Sequence, residues 1–123
     1  MKKDEVMKIA STLLAEMKRL DRKRYAMTTP DNLIKFPIET IDEFGNSFVF
    51  DYTESGKDDF DCWALTCESS LFKKEIHYSE TNYQSYPPQI FYLAEKEHPD
   101  YLELFERAIN LALEKLGGKN ESQ

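Results

Sequence analysis

Residues 33–53 read LIKFPIETIDEFGNSFVFDYT, and the reading of this stretch decides the fold. Ile34, Phe36 and Ile38 alternate with Lys35, Pro37 and Glu39, and Phe48, Phe50 and Tyr52 alternate with Val49, Asp51 and Thr53. Successive side chains of a strand point to opposite faces, so each run presents one strongly apolar face. Between the runs, Gly45-Asn46 suits the positive φ that reverses a chain tightly. The stretch predicts a β-hairpin with an apolar face that needs cover. Pro37 has no amide to donate, which places the first strand at a sheet edge or a bulge.

Helical patterns at both ends of the chain supply the cover. Behind Asp4, read as an N-cap, Val6, Ile9, Ala10, Leu13, Leu14, Met17 and Leu20 recur at steps of three and four. This helix ends in Lys18, Arg19, Arg22, Lys23 and Arg24, which complement the negative end of the helix dipole or form a basic patch for a phosphate or an acidic partner. Towards the other terminus, Pro99 suits the first position of a helix, and Gly117-Gly118 suits its end. Leu102, Phe105, Ile109, Ala112, Leu113 and Leu116 form that helix's apolar face.

The remaining segments read as strands and turns. Residues 25–32 make a turn-rich connector, residues 54–59 a second turn, and residues 60–68 a third strand that is apolar on both sides and therefore central. Residues 71–78 read as a weaker fourth strand, and residues 79–89 as a surface loop closed by Pro87-Pro88. The apolar run at 90–93 is too short for its period to separate a fifth strand from a helical turn. Together these predict an α+β fold: a three- to four-stranded antiparallel meander with an N-terminal and a C-terminal helix packed on one face. Residues 1–118 form a single domain and residues 119–123 a disordered tail. The other sheet face is expected to be open and acidic.

Charge is distributed unevenly. Residues 1–24 hold eight Lys or Arg against four acids, a balance of +4, which leaves −11 for the remainder of a chain whose total is −7. Residues 39–68 alone contain nine acids against the single Lys57. A nucleic-acid backbone is met by a basic face, so direct nucleic-acid binding is not expected, and a basic protein partner is. No apolar run approaches the roughly 20 residues of a membrane span. The N-terminal residues contain no signal-peptide core either, so no membrane contact and a cytoplasmic location are expected.

Few patterns point to chemistry. Cys62 and Cys67, the only cysteines, fall five apart on opposite faces of a strand, and with His77 and His98 they match no zinc-finger or ribbon spacing. There is no nucleophile elbow and no Gly-rich phosphate loop. No catalytic residue, metal ligand or cofactor is assigned, and the chain is not expected to be an enzyme. Asp58, Asp59 and Asp61 are the closest carboxylate group; as magnesium ligands they define one alternative, a small metal-dependent enzyme.

The function expected from charge and architecture is that of a small acidic binding protein that inhibits or regulates a basic, nucleic-acid-processing partner. Asp42, Glu43, Asp51, Glu54, Asp58, Asp59 and Asp61 are its candidate docking carboxylates. Tyr83 and Tyr86, from the tyrosines around the Pro-Pro loop, are candidate contact residues, since tyrosine is enriched at interface centres. Immunity proteins against nuclease toxins and phage inhibitors of bacterial defence nucleases, anti-CRISPR proteins among them, share this acidic character. A homo-oligomeric structural or regulatory protein, formed as a homodimer through an edge strand or the terminal helices, is the other alternative.

Overall fold

A computed structural model of the chain describes residues 2–24, 33–57, 60–72, 75–83, 85–93 and 98–117, without the side chains of residues 57 and 60. Five strands follow one another: β1 (Ile38–Ile41), β2 (Ser47–Lys57), β3 (Phe60–Glu68), β4 (Glu75–Thr81) and β5 (Gln89–Tyr92). Each pairs antiparallel with its neighbour in sequence, so the sheet order is β1-β2-β3-β4-β5. Helix α1 (Lys2–Leu20) precedes the meander and α2 (Tyr101–Gly117) follows it.

The register fixes which side chains share a face. Ile38 lies opposite Phe50, Phe50 opposite Cys67, Cys67 opposite Ile76, and Tyr78 between Leu65 and Ile90. All of these are buried, together with Phe48. Val6, Leu13, Leu14 and Met17 of α1 and Phe105, Ile109 and Ala112 of α2 are buried in the same core, so both helices cover this one face. Full burial of each of these large side chains stabilises the fold by about 1.5–3 kcal/mol.

The structure corrects several expectations. The sheet has five strands, not three or four, because residues 89–92 pair with the outer edge of β4 and Ile90 continues the buried row. The first strand runs over 38–41 instead of 34–38. Pro37, which follows Phe36 through a cis peptide bond, cannot donate to a ladder, and pairing begins at the next residue. No turn interrupts residues 54–57: Ser55 and Gly56 pair with Cys62 and Asp61, since extending the ladder outweighs their weak strand propensity. Asp58 and Asp59 lie outside the described residues, as do the connector 25–32 and the tail 119–123.

β4 begins at Glu75, four residues later than expected, because Ser69 first turns the chain. Its hydroxyl accepts from the Leu71 amide at 3.2 Å and its carbonyl from the Phe72 amide at 3.1 Å. Phe72 then fills the core from this turn. Asp4 lies inside the first turn of α1, not at its cap, since the helix already begins at Lys2. There it favours the positive end of the helix dipole.

Candidate functional site

The sheet face turned away from the helices is built by the alternate residues of each strand. It carries Glu39 on β1, Asp51 on β2, Glu68 on β3 and Glu75 on β4, with His77 beside them and no Lys or Arg among the described side chains. Val49 stands between Glu39 and Glu68, the exposed Ile41 lies beside Glu39, and Thr53, Ala64, Thr66 and Ser79 lie elsewhere on the face. No described element covers this face. Glu68 and Glu75 are direct cross-strand partners, a like-charge pairing that costs fold stability. The His77 Nε2 atom is 3.1 Å from Glu75 Oε2, outside hydrogen-bond geometry. At the β5 edge Phe91, opposite His77, and Leu93 are exposed.

The residues selected from sequence do not form one patch. Asp42 and Glu43 sit in the β1–β2 turn, whereas Asp61, Tyr83 and Tyr86 lie at the opposite end of the long β2–β3 ladder. Eleven residues of β2 separate these ends by about 35 Å. Asp51 stands between them on the open face, half-buried. Glu54 faces the helix side, where Arg24 Nη1 pairs with it at 2.6 Å. Asp61 is exposed, and its backbone is tied to Asn82: the Asp61 amide donates to Asn82 Oδ1 at 2.9 Å.

The tyrosines divide into two kinds. Tyr78 is buried and its hydroxyl donates to Glu80 Oε1 at 2.7 Å; burial, then that bond, pushes the phenol well above its ordinary value. Tyr92 donates to the Phe72 carbonyl at 2.8 Å. These two anchor the sheet edge. Tyr83 and Tyr86 are exposed, with ring centroids 5.3 Å apart.

Asp42 is a buried turn organiser, 7% exposed. Its Oδ1 accepts from the amides of Phe44 and Asn46 at 2.9 and 2.8 Å, and its Oδ2 from Asn46 Nδ2 and Arg107 Nη1, both at 3.1 Å. Burial opposes its ionisation, but these donors outweigh burial and hold the carboxyl below its usual value. Gly45 supplies the turn's positive φ of 88°. Arg107 also lies over the exposed Phe44 ring, 5.6 Å from its centroid.

Comparison with protein-family models, with curated proteins and with solved structures finds no match. Among the described residues no three or more His, Cys, Asp or Glu gather as they would around a metal ion. Cys62 lies on the open face and Cys67 in the core, where burial pushes its thiol well up and leaves it a poor nucleophile. Among the described residues no helix is long and apolar enough to cross a membrane.

Sequence reasoning missed Glu39, Glu68 and Glu75 as one surface. They are scattered along the chain and converge only through the strand register. The open face was expected from the hydrophobic period, but its occupants depend on where β1 and β4 begin.

Proposed function

We propose that this protein is a small acidic binding protein that inhibits or regulates a basic, nucleic-acid-processing protein. It docks through the open face of its sheet. One observation carries the reading: four carboxylates and no Lys or Arg among the described side chains of that face, in a chain of net charge −7. A sheet face bearing carboxylates on adjacent strands offers a partner's phosphate-binding groove the charges that groove is built to meet. The opposed Glu68 and Glu75 support the reading further, since a cation from a partner relieves a repulsion that the free protein must bear. Inhibition of the immunity-protein or anti-CRISPR kind works in this physical way.

The test is a tagged pull-down from native host lysate at low and high salt, repeated with Glu68→Lys and Glu75→Lys. A basic nucleic-acid-processing protein held at low salt, shed at high salt and lost with the reversed charges supports the proposal. Retention of the same protein by the reversed variants removes this face from consideration.

A second copy of the chain is the alternative partner. β5 is a four-residue edge strand with Phe91 and Leu93 exposed beside it, a surface suited to closed twofold pairing. Sedimentation at low micromolar concentration distinguishes the two: a monomer of 14.5 kDa rules this alternative out.

A further inference from the structure

β1 begins at Ile38, opposite Phe50, so among the described residues no strand pairs with residues 51–57 of β2 on that side. The end of α1 and the chain around Phe36 approach this free edge and leave a cleft of about 490 Å³. Pockets of this size hold small organic ligands. One wall is aromatic: Phe36 and Tyr52 meet edge to face with centroids 5.9 Å apart, both half-exposed. The Tyr52 hydroxyl donates to Asp21 Oδ2 at 2.5 Å, which fixes the ring before any ligand arrives.

The rim of the cleft is basic. Arg24 is engaged with Glu54, whereas Arg22, Lys23 and Lys35 are exposed and have no carboxylate partner among the described residues. Asp51 and Glu54 also line the cleft. Four cations against the three carboxylates Asp21, Asp51 and Glu54 give a mixed lining, poorly suited to a polyanion. It suits a ligand that carries one anionic group, hydrogen-bond donors and a flat apolar body. Among the described residues this edge of β2 has no strand partner, and the Tyr52 amide donates to Asp51 Oδ1 at 2.8 Å.

We propose that this cleft binds a phosphate monoester carried on a planar ring, the chemistry of a nucleoside monophosphate. The phosphate lies among Arg22, Lys23 and Lys35, the ring lies against Phe36 and Tyr52, and Asp51 or Glu54 accepts from sugar hydroxyls or an exocyclic amine. The cleft shares Asp51 with the open face but none of Arg22, Lys23, Lys35, Phe36 or Tyr52, so reversed charges at Glu68 and Glu75 test the docking reading and changes at Arg22 and Lys35 test this one.

Titration calorimetry at low salt with adenosine 5′-monophosphate, inorganic phosphate and adenosine tests it. The nucleotide is expected to bind with a Kd of roughly 10–500 μM. Phosphate alone and adenosine alone should each bind at least tenfold more weakly. Arg22→Glu with Lys35→Glu, both at exposed positions and checked by thermal melting, should weaken nucleotide binding more than tenfold. Absence of nucleotide binding at millimolar concentration overturns the proposal. So does phosphate binding as tightly as the nucleotide, or an unchanged affinity in the double variant.

Discussion

Two buried aspartates build two ends of this molecule with the same chemistry and opposite results. Asp21, 9% exposed, accepts from the Lys23 amide at 2.9 Å through one oxygen and from the Tyr52 hydroxyl through the other. Asp42 likewise takes backbone amides on one oxygen and side-chain donors on the other, but one of its donors is the Arg107 guanidinium, at 3.1 Å. The guanidinium brings a positive charge to its acid, whereas the phenol donates as a neutral group. At Asp42 the turn is closed and locked to α2. At Asp21 the turn stays beside an open cleft, and the pKa consequence falls on Tyr52, whose phenol burial first and Asp21 second push well above its ordinary value.

The largest effect that would break this comparison is expected at Asp42. Asp42→Ala leaves the part-buried amides of Phe44 and Asn46 and the Arg107 side chain without their acceptor, and should lower Tm by roughly 5–10 °C in scanning calorimetry. Asp42→Asn keeps an oxygen for the amides and should lose about half as much. The acid dependence sharpens the point. A carboxyl held below its ordinary value adds stability that is fully present above roughly pH 4 and is lost as pH falls through the lower folded value. Thermal melts of Asp42→Asn should therefore fall less steeply than wild type below pH 4.

Tyr52→Phe comes next, with an expected Tm loss of roughly 3–6 °C. Here the sign reverses. A raised phenol pKa adds stability that is complete below the ordinary tyrosine range, near pH 10, and is lost as pH rises towards the folded value. Melts between pH 9 and 11 should show a shallower alkaline decline for Tyr52→Phe than for wild type. An unchanged alkaline limb would mean that the Asp21 contact does not persist in solution.

The fold was legible wherever burial imposes a period. β3 runs over Phe60–Glu68 as its two-sided apolar pattern indicated, and α1 buries Val6, Ala10, Leu13, Leu14, Met17 and Leu20 from the stripe read in the sequence. β5 was ambiguous because four residues carry too little period, and its strand geometry comes from the edge of β4. Asp42 left a signal that went unread: an aspartate three residues before Gly45-Asn46 is the composition of a side-chain-organised turn. Asp21 left none, since its partner Tyr52 is 31 residues away and only the register brings them together.

The smallest effect concerns the open face, which has no such buried support. Glu68→Lys turns a repulsive cross-strand pair with Glu75 into an attractive one and should raise Tm by roughly 2–4 °C. If the same substitution abolishes partner capture, stability and binding are opposed at this residue, as expected of a surface shaped for recognition.

The helices that close the core are the first and last of the described elements, and Lys2 Nζ lies 2.5 Å from Glu106 Oε1 across their contact. During synthesis every strand meets its partner as soon as it emerges, because the sheet order is the order of translation. The apolar side of that nascent sheet nevertheless keeps Phe48 and Phe50 incompletely covered until residues 101–117 have been made. A chain that has not yet made α2 can thus pair its five strands before its core is covered.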